Sequence, residues 1–271
     1  VTALLSGGAL AASGLLLPTA FRHPFAAPDI FGVTSGASLA VALLTLAPGL
    51  ALSGIVGFLS SVVAAFCGAM AVTAMIWFLS RRVRSSVTLI IVGMMVGYLC
   101  SSAITLLNSL ATDEGVHSFV AWGMGDFTGV SIDGLWLFAP STVVATLSSL
   151  LLVKPLNALL LGPRYAESMG VNVRKTRNVL LLLTGILTAL VTAFCGPIAF
   201  IALAVPHVAR LFTGVADHRV LLPVTIVMGS TIALLCNVVT TLPPSGTVLP
   251  LNAVTSLIGA PVIVWVLLRR K

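Results

Sequence analysis

The sequence predicts an all-α, polytopic membrane protein, and three observations lead to that prediction. Hydrophobic residues make up 58% of the 271 residues and charged residues only 8%, whereas soluble domains carry about 25% charged residues. Apolar runs recur along the whole chain, and several reach the length of about 20 residues that a membrane-spanning helix needs. The basic residues lie between these runs and not in their middles. We therefore expect residues 1–271 to form a single transmembrane domain without a separate soluble domain.

Nine apolar runs are predicted to be membrane-spanning helices. The first is rich in small residues, and Gly7 and Gly14 belong to a face that suits close helix packing. Pro18 predicts a kink or an end in that helix, because proline has no backbone N–H to donate. The seventh run is short and follows the helix-breaking pair Gly196-Pro197. The approximate bounds of the nine runs are 1–20, 31–47, 50–79, 87–110, 134–153, 178–195, 198–213, 220–240 and 251–268.

Polar or Pro/Gly-rich stretches separate the predicted spans. Pro48-Gly49 predicts a tight turn before the third span, and the stretch 242–250 predicts another turn before the ninth. Residues 111–133 are polar overall but contain an amphipathic segment, 116–127. We interpret that segment as a short helix near one membrane surface and not as a span.

The charges predict the orientation of the helices, since Lys and Arg concentrate in cytoplasmic loops. If the loop with Arg81, Arg82 and Arg84 is cytoplasmic, alternation of the nine spans puts all 14 Lys and Arg residues on that side. The stretch 111–133 then lies outside, and it contains four acidic residues and no basic residue. Val1 lies outside and the C-terminus inside. The net charge of +7 therefore reflects membrane topology, and we expect no nucleic-acid partner.

Residues 154–177 are the longest polar interruption of the chain and contain five basic residues and one acid, Glu167. Because glycine ends helices and proline suits a first helical position, Gly162-Pro163 predicts the end of one short helix and the start of another. Gly170 lies where a C-terminal cap would be. The helices are predicted at about 156–161 and 163–169, with apolar contact area from Leu159, Leu160, Leu161, Tyr165 and Met169. A docking surface for a cytoplasmic partner and a solvated loop both fit this composition.

The sequence contains no motif for an enzyme or for a resident metal. No Asp, Glu, Lys or Arg lies near the middle of a predicted span, although ion-driven transporters usually need such residues. The four histidines have no paired-ligand spacing, and the four cysteines lie far apart in apolar runs. We expect no catalytic residue, metal or cofactor on this chain and an energy source on a partner. A secondary transporter or channel not driven by ATP is the alternative.

Five stretches, in register along the chain, resemble the permease subunits of the ABC importers for ferric siderophores, haem and cobalamin. The stretch 195–223 contains the diagnostic Pro-His-x-x-Arg and Asp-His-Arg elements, and 161–173 resembles the loop that forms the coupling helices on the ATPase. The five stretches are 6–17, 22–40, 161–173, 195–223 and 249–270. The sequence departs from the family pattern at Pro18, at His23-Pro24-Phe25-Ala26 and at Asp126.

The resemblance implies a permease subunit in the bacterial cytoplasmic (inner) membrane, embedded in the lipid bilayer. Family members have ten spans, so the nine predicted here correspond to the second through tenth. The first span is expected to be absent from this chain, in agreement with its abrupt start at Val1. The implied partners are a second permease copy or homologous half, an extracytoplasmic substrate-binding protein, and two cytoplasmic ATPase subunits that bind and hydrolyse ATP.

The resemblance also implies site residues. The segment 154–177 is expected to couple the chain to the ATPase, through Leu161, Gly162, Ala166, Met169, Gly170 and Val171. Gly93 and Gly97 fit close helix packing or a position on the translocation pathway. Trp122 and Gly125 fit an interfacial anchor or a gate. Pro206-His207-Val208-Ala209-Arg210 is interpreted as a structural break near the inner surface in preference to a substrate contact.

Overall fold

The computed structural model describes residues 1–23, 26–46, 54–83, 85–242 and 249–269, and every regular element in these ranges is an α-helix. The helices are α1 (Thr2–Phe21), α2 (Val33–Thr45), α3 (Gly54–Arg82), α4 (Ser86–Leu110), α5 (Asp113–Gly123), α6 (Ile132–Leu150), α7 (Val153–Leu160), α8 (Pro163–Ser168), α9 (Val173–Cys195), α10 (Ile201–Thr213), α11 (His218–Thr241) and α12 (Leu251–Arg269). The predicted turn at Pro48-Gly49, most of the predicted turn at 242–250, and Arg84, Arg270 and Lys271 lie outside the described residues.

The helices confirm the all-α, polytopic class. Helices α1, α3, α4, α9 and α11 are long and apolar enough to cross a membrane, and α6 and α7 form a sixth candidate span that is bent by 46° at its break. Helices α2 and α10 and the described part of α12 are shorter apolar helices. The count of nine spans therefore stays a prediction. Helix α5 confirms a short amphipathic helix in this stretch, but it begins and ends three to four residues before the predicted segment 116–127.

Helix α1 is the centre of the described bundle, and it packs against α6, α7, α9, α10 and α11. Its glycines bring backbones into direct contact: a Cβ on Gly7 would lie 2.3 Å from the Gly229 carbonyl oxygen, and one on Gly14 would lie 1.6 Å from that of Ala202. The predicted small-residue face is thus confirmed. The helix does not end at Pro18 but continues to Phe21, and the Pro18 carbonyl accepts the backbone N–H of the cap residue Arg22.

Large apolar side chains cover the outside of the bundle. Leu99 on α4 is 70% exposed, and Trp136 on α6 is 80% exposed. Exposed apolar faces of this size mark surfaces for lipid or for another protein. The chain therefore has the apolar outer surface expected of a polytopic membrane protein.

We expect Gly7→Val to destabilise the bundle, because the added side chain would overlap the backbone of Gly229 on α11. Overpacking of this kind costs about 1–3 kcal/mol or more. The matched control is Gly123→Val, since a Cβ on Gly123 meets nothing within 4 Å. The measurement is the thermal midpoint of each purified variant in detergent. Equal midpoints for the two variants would contradict the close approach of α1 and α11.

Candidate functional site

The segment 154–177 contains α7, α8 and the first residues of α9. Helices α7 and α8 confirm the two predicted short helices, although α7 begins at Val153 and α8 ends at Ser168. Gly162 separates them with φ 116°, and Gly170 follows α8 with φ 81°, so both hold backbone conformations that favour glycine. The backbone N–H of Val171 donates to Ala166 (2.9 Å) and that of Gly170 donates to Glu167 (2.9 Å). This pair of bonds is a Schellman motif, which fixes the end of α8.

The Schellman motif explains several of the predicted coupling residues. Ala166 and Val171 are its two ends, and Gly170 supplies the left-handed residue between them. Ala166 is completely buried, so its side of α8 packs against the rest of the protein. Met169 precedes the glycine and projects outward, with 60% of its surface exposed.

The exposed side of the segment carries apolar side chains from α7, α8 and their ends, and basic side chains from α7, α8 and the first turn of α9. Leu161 is 65% exposed and Tyr165 is 51% exposed. The exposed basic residues are Lys154, Arg164, Arg174 and Lys175. The expectation that Leu159 adds to this surface is wrong, because Leu159 is only 1% exposed and belongs to the buried core. The segment therefore has one face packed on the bundle and one face available to a partner.

A partly buried polar network joins α7 to two helices of the bundle. The Asn157 side-chain oxygen accepts both the backbone N–H of His218 (2.9 Å) and its Nδ1–H (2.9 Å), and the Asn157 amide nitrogen donates to Asp217. The other ring nitrogen of His218, Nε2, lies 3.0 Å from the Thr19 hydroxyl on α1. His218 is completely buried. We call these four residues, Thr19, Asn157, Asp217 and His218, the inner network.

Chemistry fixes the donors of the inner network. A backbone N–H can only donate, so the Asn157 atom that faces it is the oxygen, and His218 must carry a proton on Nδ1. In the neutral ring, Nε2 then accepts a hydrogen bond from Thr19. Asp217 caps α11, and the backbone N–H of Arg219 together with the Asn157 amide holds the pKa of its carboxyl below the usual value. Asp217 and His218 belong to the Asp-His-Arg element, whereas nothing in the sequence singles out Asn157 or Thr19.

Gly93 and Gly97 lie where α4 meets the start of α2. A Cβ on Gly93 would lie 2.7 Å from the Cα atom of Phe31. A Cβ on Gly32, which has φ 76°, would lie 3.0 Å from the Gly93 carbonyl oxygen and 3.2 Å from the Gly97 nitrogen. Gly93 and Gly32 thus permit close backbone packing, whereas a Cβ on Gly97 would make only an ordinary contact with the Ser35 hydroxyl (3.5 Å). The predicted pathway role is untested, but α4 does present an exposed face, on which Tyr98 is 67% exposed.

Trp122 and Gly125 lie against the break between α9 and α10. A Cβ on Gly196 would lie 2.5 Å from the Trp122 carbonyl oxygen, and the backbone N–H of Asp126 donates to Cys195 (2.9 Å). The predicted break at Gly196-Pro197 is confirmed, but α10 begins at Ile201 and not at 198. The reason is Phe200, whose φ of 68° is incompatible with a right-handed helix.

The start of α12 completes this contact through Asn252. Its backbone N–H donates to the Met124 carbonyl (3.0 Å), and its side-chain oxygen accepts the N–H of Ala199 (3.1 Å). Asn252 therefore ties together the end of α5, the α9–α10 break and α12, which we call the α5–α12 junction. Sequence reasoning did not identify Asn252. The gate role predicted for Trp122 and Gly125 remains a prediction.

Comparison with known proteins gives consistent matches along the chain. A model of the FecCD transport family matches residues 1–269. The hemin transport system permease protein of Yersinia pestis is 35% identical over 271 residues, which cover 99% of this chain and 80% of that protein. The vitamin B12 import system permease protein of Klebsiella pneumoniae is 34% identical over 273 residues, which cover 99% of this chain and 79% of that protein.

A solved structure also matches. A chain described as a metal-chelate type ABC transporter, in an inward-facing conformation, has a TM-score of 0.88 to this structure at 31% sequence identity. The superposition covers 99% of this chain and 84% of that chain. The helix arrangement described above is therefore shared with that chain.

We expect Asn252→Ala to loosen the α5–α12 junction, because it leaves the N–H of Ala199 without its acceptor. An unsatisfied donor of this kind costs about 1–3 kcal/mol when it is shielded from water. Asn252→Asp is the matched control, since it keeps an oxygen at the same position. The thermal midpoint of the purified protein should fall for the alanine variant and stay close to wild type for aspartate. A drop of equal size in both variants would show that the Ala199 bond is not what matters.

Proposed function

Since the chain belongs to the FecCD transport family, we propose that it is the transmembrane permease subunit of an ATP-driven importer for iron complexes or cobalamin. The observation that carries this proposal is the match of the whole described bundle to a metal-chelate type ABC transporter over 99% of the chain. The relatives at about one-third identity are named for hemin and for vitamin B12 transport. The cargo class we propose is accordingly a ferric siderophore, haem or cobalamin.

We propose that the segment 154–177 docks on an ATPase subunit. Its exposed side combines Leu161, Tyr165 and Met169 with basic residues, which gives apolar contact area and charge to one surface. A rigid element is needed to transmit a push, and the Schellman motif at Gly170 together with the buried Ala166 makes α8 such an element. ATP is then bound and hydrolysed on the partner and not on this chain.

The rest of the assembly follows from the same proposal. The membrane is the bacterial inner membrane, with the C-terminus and the 154–177 segment on the cytoplasmic side and Val1 outside, as the distribution of basic residues favours. A second permease copy or homologous half encloses the pathway, two ATPase subunits dock inside, and an extracytoplasmic substrate-binding protein delivers the cargo.

Uptake should follow ATP inside vesicles and not an ion gradient, because no charged residue lies near the middle of a predicted span. The measurement uses proteoliposomes that contain the permease with its co-purified ATPase, given binding protein and either haem, cobalamin or a ferric hydroxamate siderophore. Uptake of one of these should require internal ATP and survive a collapsed proton gradient. If an uncoupler stops uptake while ATP remains high, the alternative of a secondary transporter gains.

Gly170→Val should impair coupling, because a β-branched residue in the left-handed conformation adds strain of about 1–2 kcal/mol. A Cβ at this position meets nothing within 4 Å, so the effect comes from the backbone and not from a clash. Gly170→Asn is the matched control, because asparagine tolerates the left-handed conformation. The measurements are retention of the ATPase on purification and ATP-dependent uptake. Wild-type uptake by Gly170→Val would exclude this segment as the coupling element.

A further inference from the structure

We propose that the inner network is the mechanical link that carries motion of the 154–177 segment into α1 and α11, with Asn157 as its positioning residue. This inference rests on the proposed function, because it assumes that an ATPase moves the segment. It goes further, since it assigns the transmission to particular hydrogen bonds and to α7.

The connectivity of the inner network supports the link. Asn157 on α7 binds the first residue of α11, His218, through two hydrogen bonds of 2.9 Å and the α11 cap residue Asp217 through a third. The ring of His218 then reaches the Thr19 hydroxyl near the end of α1. A displacement of α7 therefore acts on the ends of two bundle helices at once. One of these, α1, packs against five other helices.

Hydrogen bonds fix the relative position of two helices in a way that non-directional apolar contacts do not. Leu156 and Leu159 seat α7 on the bundle and are almost completely buried, but the apolar attraction that holds them is non-directional and permits sliding. The Asn157 oxygen accepts two bonds and its amide nitrogen donates a third, so the side chain is fixed from both ends. These bonds prefer nearly linear geometry, and α7 cannot shift along α11 without breaking them.

The hydrogen bonds of the inner network belong to α7 and not to α8. A cavity of about 340 Å³ lies beside it, lined by Pro163 and Glu167 of α8, by Val83 after α3, and by Arg174 and Arg177 of α9. Helix α8 is rigid in itself, and it packs more extensively against α7 than against α9, from which this space separates part of it. The stiff route from the docking surface into the bundle therefore runs through α7 and Asn157.

The test compares Asn157→Leu, which keeps the approximate volume and removes the hydrogen bonds, with Asn178→Leu. Asn178 accepts a bond of 2.9 Å from Ser80, which joins α9 to α3. Both residues line the cavity beside α8, but neither belongs to α7 or to the inner network. Each variant permease, co-purified with its ATPase, is reconstituted with the cargo that the wild type takes up. The readouts are cargo imported per ATP hydrolysed, retention of the ATPase, and the thermal midpoint.

We expect Asn157→Leu to retain the ATPase and to hydrolyse ATP. The amount of cargo imported per ATP should fall by about tenfold or more, because a tenfold change corresponds to about 1.4 kcal/mol, the free energy of about one net hydrogen bond. Asn178→Leu should keep cargo per ATP within about twofold of wild type, which is less than the tenfold change expected above. The reason is that the bond it removes does not belong to the inner network. Unchanged cargo per ATP in Asn157→Leu would overturn the proposal, and so would loss of the ATPase from that variant. If even the wild type imports none of the cargoes on internal ATP, the proposed function fails instead.

A second variant decides the matter if Asn157→Leu does not fold. Thr19→Val is close to isosteric and removes the bond between α1 and His218, together with the longer contact (3.3 Å) of the Thr19 hydroxyl with the Leu15 carbonyl within α1. It should lower cargo per ATP several-fold while the permease still folds and retains its ATPase, although the thermal midpoint falls because the buried Nε2 of His218 loses its partner. Where Asn157→Leu also folds, the effects of the two substitutions should not add in the double variant, because both act on one network. Full additivity, or an unchanged ratio in Thr19→Val, would overturn the link.

Discussion

The structure depends on the direct contact of helix backbones around α1. A membrane offers little hydrophobic driving force between helices, so close packing and polar contacts must hold them together. At Gly7 and Gly14 the neighbouring backbones stand where a side chain would begin. The same device recurs away from α1, since a Cβ on Gly68 of α3 would lie 2.3 Å from the Gly36 carbonyl oxygen on α2. These contacts fix the helix positions on which each candidate site relies.

At both ends of the bundle, polar residues join elements that the glycine contacts do not hold together. At one end, the inner network secures α7 to α1 and α11. Asn252 does the corresponding work at the α5–α12 junction, where three chain segments that are distant in sequence meet. The two arrangements share a principle: a single asparagine uses both its donor and acceptor groups to join elements whose apolar faces alone would not fix their register.

Local chemistry accounts for what the sequence could predict. Gly162-Pro163 and Gly170 determine their own neighbourhood, so the two helices of the 154–177 segment could be placed within about three residues, within the usual error of helix boundaries. Contacts between distant residues could not be foreseen. Asn157 meets Asp217 from 60 positions away, and Leu159 turns inward because the bundle offers it a buried site. Phe200 delays the start of α10 through a backbone conformation that tertiary packing imposes on a residue that does not prefer it.

The central place of α1 has a consequence for how the protein is made. Ribosomes deliver α1 to the membrane before α9, α10 and α11, the helices that enclose it. Its small residues, which permit the final contacts, also give it the lowest mean hydropathy of the five candidate spans. During synthesis α1 must therefore remain in lipid, weakly anchored and without α9, α10 and α11, until more than half of the chain has followed. Biogenesis should be most vulnerable in this interval, and insertion factors that shelter weakly apolar helices would act there.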